Sequence, residues 1–558
     1  MNRIYRLIWS ESAGTLVPVS ELVPARGKRS TTTISKAAAF LLSTELMGTA
    51  WAQAPPLPPN ALPSGGQVTA GKADIQVNGS QMDINQSTSK AILNWNNFNI
   101  GSQAKVNFAQ PDASSISLNR VIGSDPSSIA GQLNANGQVI LINPNGVLFN
   151  RGAKVDTGGL VTSTLKLSDE NFKNGNYHFE GPDNSAGITN QGTLTARDGG
   201  YISVIAPQII NEGTINTPKG TTALAAGKNV DIVLREGSLI SVSVNQGTVD
   251  TLITNKNLIQ ADGGKVILTT KGRDGVLAGI INNQGIIQAR TLVNQGGVIK
   301  LIAQGGTVNV AGTLDASAPN GGDGGFIETS GDRAHFDPNV KITTAAPKGK
   351  TGEWLIDPND YTIASSGGDI TAATLATNLS TSNVTIASSN GATAGSGNIN
   401  VNQALTWSGS NSLTLNAVHS INVNQSINNS LGSGGIILRA DSGGTCVAGA
   451  ASASCGTVSF GVGKTIILSS GNAKIYYDPT GSNGSADANG NITNAYTSPT
   501  SFSTKVFSGT GTVTAYMLVN DVNQLQSIKT SLSGNYALGK NISATATSGW
   551  NSSAGFVP

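Results

Sequence analysis

One short phrase recurs along this chain and limits what it can fold into. Ile188-Thr189-Asn190-Gln191-Gly192-Thr193-Leu194 is matched by Ile210-Asn211-Glu212-Gly213-Thr214-Ile215, and again by Ile281-Asn282-Asn283-Gln284-Gly285-Ile286-Ile287. Between such phrases lie strands led by Gly-Gly: Gly199-Gly200-Tyr201-Ile202-Ser203-Val204, Gly263-Gly264-Lys265-Val266-Ile267-Leu268 and Gly296-Gly297-Val298-Ile299-Lys300-Leu301. Period-two alternation puts the apolar side chains of each strand on one face. A unit this short cannot bury that face alone, but stacked copies bury it on one another. The Asn190 and Asn211 phrases lie 21 residues apart, which predicts coils of about that length. The expectation is an all-β fold, a right-handed parallel β-helix (solenoid) with extra-helical hairpins. Inward Val, Ile and Leu stack, and Asn at the turns can ladder its amides along the axis.

Composition supports regular structure over disorder. Charged residues are 12% of the chain, against roughly 25% in ordinary globular proteins. Long disorder is usually charge-rich and poor in β-branched residues, the reverse of what is seen. Aromatics are only 5%, and the larger hydrophobic clusters and aromatic anchors of an array of β-sandwiches are missing. Net charge is +2, and Arg3, Arg6, Arg26, Lys28 and Arg29 concentrate basic charge in the first 30 residues. The remainder is close to neutral, which argues against nucleic acid or a polybasic membrane contact.

Residues 1–52 read as an address. A basic stretch, Arg26-Gly27-Lys28-Arg29, precedes the small apolar run Ala37-Ala38-Ala39-Phe40-Leu41-Leu42, and Ala50-Trp51-Ala52 places small residues where a signal peptidase reads. Cleavage is expected after Ala52, with Ala54 the neighbouring option. The apolar run is too short to span a bilayer. About 30 residues precede it, and in this the segment resembles the extended signal peptide region of very large exported bacterial proteins. That extension occurs on both autotransporters and two-partner exoproteins, so it implies the route to the periplasm and not the second step. Residues 53–64 are a Pro-rich spacer.

Two segments break the rhythm. Asp169 to Ser185 is polar and aromatic-bearing, and is expected to lie outside the helix as a hairpin or loop. Near Lys348 the spelling of the coils changes and Ser and Thr become denser, which predicts a boundary. The expected division is a module at 65–347, with its core motifs at 65–165, and a continuing β-helix or repeat stalk at 348–558. No polar capping feature closes the sequence before Pro558, so the solenoid is expected to continue.

Residues that carry chemistry are sparse. His178, His335 and His419 are far apart and pair with no Cys or carboxylate pattern. Gly321-Gly322-Asp323-Gly324-Gly325 lacks the nonapeptide period of a Ca²⁺ solenoid, and the Gly-rich segments lack the Lys-Ser/Thr of a phosphate loop. No nucleophile and base are paired. The reading is not an enzyme, with no metal and no cofactor. Cys446 and Cys455, the only two cysteines, could close a short disulfide loop in an oxidising compartment. Free thiols are the alternative; a metal pair lacks further ligands nearby.

Asn143-Pro144-Asn145-Gly146 sits between Gln138-Val139-Ile140-Leu141-Ile142 and Val147-Leu148-Phe149. Pro fixes φ, Gly supplies positive φ and Asn bonds nearby backbone, so this is a turn between two strands. Its setting includes Ile92-Leu93-Asn94-Trp95-Asn96-Asn97-Phe98-Asn99-Ile100, Val106-Asn107-Phe108 and Ser117-Leu118-Asn119-Arg120-Val121. With these motifs in order, residues 65–165 resemble the haemagglutination-activity, or two-partner secretion, domain of filamentous haemagglutinin-like exoproteins. The resemblance implies a dedicated outer-membrane β-barrel transporter with periplasmic binding domains, reached through the general secretion machinery and signal peptidase. It implies a chain that crosses unfolded and folds outside, secreted or held at the surface of a Gram-negative bacterium. Asn143, Pro144, Asn145, Gly146, Arg120 and Asn119 are the candidate secretion-motif residues, either as a structural turn or in direct transporter contact. Some relatives carry a second Asn-Pro motif where this chain has Gln110-Pro111-Asp112-Ala113. The functional expectation is an adhesin-type exoprotein whose host receptor or surface glycan is unknown. Alternatives are capture of haem or a haem carrier, or the carrier segment of a toxin or cytolysin.

Overall fold

The computed structural model describes residues 57–248, 250–273, 278–389 and 395–556, together with the backbone of 5–10 and 15–20. Tyr5–Ser10 and Thr15–Ser20 pair antiparallel within a first unit, Met1–Ala52, and Gln53–Pro558 forms a second. Ala50 and Ala52, the expected cleavage positions, lie outside the described residues.

The second unit is a parallel β-helix whose coils add strands to three ladders. The first ladder runs from Lys90–Trp95 through Ile116–Val121 and Gln138–Ile142, and reaches Val513–Val519 and Tyr536–Leu538. Several strands turn a corner and serve two ladders: Lys154–Ser163 pairs by its first part with Gln132–Ala135 and by its second with Gln138–Ile142. At the N-terminal end the pattern becomes antiparallel. Gln67–Ala70 pairs with Lys90–Trp95, and Ala73–Asn78 folds back on Gln81–Gln86. These segments cover the first coil, where open strand edges would otherwise invite another chain.

Inside, one continuous column of Val, Ile and Leu follows the axis, including Val106, Leu133, Val139, Leu141, Val155 and Leu160. A ladder of buried amides runs beside it. Asn190 Nδ2 donates to Asn211 Oδ1, Asn211 to Asn255 and Asn255 to Asn283, each at 2.8 Å. Each amide thus satisfies the coil above and the coil below, which a lone buried Asn could not do. Between these turns the backbone is too close for any side chain: a Cβ on Gly213 would collide with Gly192 O.

The same rungs correct the expected coil length. They are separated by 21, 44 and 28 residues, so the spacing of about 20 holds for one of these three steps, as it does where Ile116 faces Gln138 and Ile399 faces Ile421. The long step contains a hairpin, Asn229–Arg235 paired antiparallel with Ser238–Gln246. Tyr177–Glu180 adds to its other side, making a three-stranded sheet outside the helix. The sequence placed 169–185 off the helix but not 229–246, whose alternating Val230, Ile232, Val242 and Val244 have the same pattern as a coil strand.

This outer sheet explains runs that are buried on both faces. Val139 and Leu141 point into the helix, whereas Ile140 and Ile142 point outward and are equally buried. With Val161, Ile205 and Ala223 they meet Phe172, Phe179, Val230 and Ile232 in a second core.

Residue 348 marks no break in the stacking, since Phe326–Phe336, Glu353–Asp357 and Asn383–Ala387 pair in succession across it. Two of the three faces change there: one ladder ends at the second half of Phe326–Phe336, and a separate one starts at Tyr361–Ile363. After Lys341–Thr343 the third ladder is interrupted by a helix, Ala372–Leu379, and a new ladder starts at Leu405–Thr406. Asn378 on the helix stands in for the missing strand: its Oδ1 accepts from Ile342 N at 2.7 Å. Thr371 caps the helix by accepting from Thr374 N.

Candidate functional site

The Asn143–Gly146 turn joins Gln138–Ile142 to Val147–Phe149 at a corner of the helix. Gly146 N donates to Asn143 O at 3.1 Å, and Gly146 takes φ 114°, a region that favours glycine. Asn143 is fully buried. Its Nδ2 donates to Asp125 O at 2.9 Å and Ser127 Oγ at 3.0 Å, and its Oδ1 accepts from Asn145 N at 3.0 Å. Asn145 Nδ2 reaches Gly123 O at 2.9 Å. Both Asn side chains therefore tie the turn to segment 123–127 of the preceding coil.

Asn119 is likewise fully buried, accepting from Trp95 Nε1 at 3.1 Å and donating to Ser117 Oγ at 3.1 Å. In the folded module Asn119, Asn143 and Gly146 are buried, whereas Pro144, Asn145 and Arg120 are half-buried. The Gln110-Pro111-Asp112-Ala113 stretch is equally internal at its first residue. Gln110 Nε2 donates to Gln138 O and Ser115 O, both at 3.1 Å, and its Oε1 accepts from Gly137 N.

Arg120 positions a short helix, Asp169–Asn174, over the outer face. Its Nη2 donates to Leu167 O at 2.9 Å and Asp169 Oδ1 at 2.8 Å, at the helix start. Ser168 is the N-cap, its Oγ accepting from Asn171 N. At the other end Lys90 Nζ donates to Phe172 O at 3.1 Å and Lys173 O at 2.8 Å, and lies 5.8 Å from the Phe172 ring centre. Burial lowers the Lys90 pKa. An acidic residue at the helix start and a cation at its end both suit the helix dipole. No local pattern points to Lys90, because its partners lie 82 and 83 residues away.

Between the turn and this helix is an open cleft of about 820 Å³, walled by Arg120, Ile122, Pro144, Asn145, Lys166 and His178. Ile122 is 61% exposed on its rim. Of the other sequence candidates His178 lies at this cleft, and the rest lie elsewhere. Cys446 and Cys455 form a disulfide. His178 contacts Asp231, His335 lies 3.3 Å from Asp369, and His419 uses both ring nitrogens, on Asn398 Oδ1 and Ala453 O. Asp323 Oδ1 accepts from Lys350 N of the following coil. Among the described residues no group of three or more His, Cys, Asp or Glu is placed to hold a metal ion.

Comparison with known proteins adds to this geometry. Residues 60–316 match the TPS secretion domain, and residues 1–49 match the extended signal peptide of the type V secretion system. The chain is similar to the crystal structure of the HMW1 secretion domain from Haemophilus influenzae, with a TM-score of 0.50 and 25% identity. That match covers 68% of this chain and 96% of the other. Two heme/hemopexin-binding proteins of Haemophilus influenzae are also similar. One is 34% identical over 251 residues, 43% of this chain and 27% of the relative. The other is 29% identical over 344 residues, 57% of this chain and 35% of the relative. The aligned part thus spans about a third or less of those relatives. A TPS domain implies a cognate outer-membrane transporter, and with the signal peptide it directs export and secretion from a Gram-negative cell. With the β-helix and both export elements in place, residues 1–49 and 60–316 are the signal and the secretion domain of a two-partner secretion exoprotein.

Proposed function

We propose that the mature protein is an adhesin-type rod, and that the cleft beside Asn143–Gly146 is the patch its transporter reads. The observation that supports this is the division of labour within the motif. Asn119 and Asn143 hold the coils together, whereas Pro144, Asn145 and Arg120 line an open cleft with an exposed apolar rim at Ile122. On this reading the periplasmic domains of the transporter contact that rim on a secretion module whose first coils have already formed, and the rest of the chain crosses unfolded. Ile122→Glu and Lys166→Glu change the cleft without touching the buried amides, and secreted protein is measured beside the refolding of the purified full chain. Secretion reduced about tenfold or more, which is about 1.4 kcal/mol of partner binding, with unchanged refolding supports the reading. Normal secretion of both variants overturns it.

A second reading, capture of haem or of a haem carrier, is favoured by the two heme/hemopexin-binding relatives. The three histidines already have partners, which points within this reading to a carrier protein rather than to bare haem. Binding of purified protein to haem, to hemopexin and to host cells in parallel separates the two: cell binding alone supports adhesion, and hemopexin binding alone supports capture.

A further inference from the structure

Far from the export module, Ile436–Arg439, Ala473–Tyr477 and Val513–Val519 are successive strands of the first ladder. Just beyond each strand a polar residue turns inward: Asp441, Asp478 and Asn520. Asp441 and Asn520 are fully buried and Asp478 is 7% exposed.

The donors around them do not match the acceptors. Asp441 Oδ1 accepts from Thr445 N and Thr445 Oγ1, both at 2.7 Å. Its Oδ2 accepts from Cys446 N at 3.1 Å and Asn520 Nδ2 at 2.8 Å. Asn520 Nδ2 also faces Cys446 O at 3.0 Å and Asp478 Oδ1 at 3.2 Å. An amide nitrogen has two hydrogens, so three acceptors oversubscribe it. Gln524 adds none to the carboxyls: its Nε2 donates to Cys446 O and Ser482 O, and its Oε1 accepts from Asn520 N. Asp478 Oδ2 is buried with no hydrogen-bond partner, and the Gly456 N–H near this carboxyl offsets its burial only in part.

Nearby charge does not cover the deficit. Lys540 Nζ donates to Gly444 O and Arg439 Nη2 to Gly539 O, both backbone carbonyls. Asp521 adds a third carboxylate to the neighbourhood, its oxygens taken by Ala448 N and Gln524 N. The Tyr496 hydroxyl donates to Leu518 O and that of Tyr536 to Ser531 O, and the His419 carbonyl accepts from Asp441 N. Two ionised carboxylates in this setting would repel across a medium that screens them poorly.

We infer that Asp478 keeps a proton in the folded protein and shares it with Asp441, so that the proton itself clasps successive coils beside the Cys446–Cys455 loop. Burial first, and the Asp441 charge second, push Asp478 up to about 9. The folded state thus binds this proton more tightly than the unfolded chain does. Its stabilising effect is complete below the ordinary carboxylate range, and declines as pH rises toward 9. The clasp is tightest in acid and loosens in alkali.

Amide hydrogen exchange on the purified secreted chain tests this, corrected for the intrinsic effect of pH. Protection of Ala473–Tyr477 should fall by about tenfold or more between about pH 6 and about pH 9, while Gln138–Ile142 keeps its protection. Asp478→Asn, which cannot ionise, should flatten that response. An equal pH response in both proteins overturns the inference. If the variant does not fold, the infrared carbonyl stretch of a protonated carboxyl decides: its presence in the wild-type protein at neutral pH supports the clasp, and its absence overturns it.

Discussion

Asn143 shows how much one buried side chain can hold. Its amide has three partners on two coils, and Asn143→Ala leaves Asp125 O and Ser127 Oγ without their donor. The expected cost is about 1–3 kcal/mol, measured as a lower denaturation midpoint with unchanged slope. Tyr201→Phe is expected to cost about 1 kcal/mol by the same measure, because the fully buried Tyr201 hydroxyl donates to Gln138 Oε1 at 2.7 Å. Asp262 gives a pH-dependent case. Burial raises its pKa, but hydrogen bonds from Arg290 and Gln260 and the Arg290 charge outweigh that, and the net shift is downward. Its contribution is therefore present above the ordinary carboxylate range and lost as pH falls through the lowered value. Arg290→Gln should reduce the acid-side loss of stability in a denaturation series below about pH 5. At this scale the sequence was legible where contacts are local. The Asn143–Gly146 turn could be read from four residues. Arg120 to Asp169, 49 residues apart, and Tyr201 to Gln138, 63 apart, could not, since nothing in a linear pattern marks which distant coil will face which.

At the scale of elements, the outer sheet is the part that pattern reading half missed. An alternating strand is apolar on one face whether that face meets a helix interior or a sheet laid outside it, so nothing within Asn229–Arg235 marks it as lying outside. The usable signal lay in the partner strands: Val139-Ile140-Leu141-Ile142 is apolar without alternation, and a strand of that kind must be covered twice. Replacing residues 229–246 by a short Gly-Ser turn should leave the inner column intact and expose Ile205 and Ala223. The expected result is a stable but aggregation-prone module that binds a hydrophobic dye, detected by light scattering and dye fluorescence. A variant that remained monomeric and dye-silent would mean that this face needs no cover. The helix Ala372–Leu379 was also not foreseen. Its sequence is short and weakly patterned, and tertiary contacts through Asn378 fix its place.

For the whole molecule, repetition was the most legible property and regularity the least. The recurring phrase predicted stacking and an amide ladder along the axis; coil lengths diverged because insertions at corners leave the rungs in register while changing the count between them. The disulfide spans only 9 residues, so little chain entropy depends on it. Its reduction is expected to loosen the 446–455 loop alone, seen as local loss of exchange protection with no change in the main unfolding transition. The outer sheet sets a further condition, one of timing. Tyr177–Glu180 waits for Asn229–Arg235, with His178 and its partner Asp231 standing 53 residues apart. A chain released gradually from either end must therefore hold the earlier coils half-dressed until the later stretch is free. The module has a deadline written in chain length: short of it the first coils can stack but not close, and past it they close together.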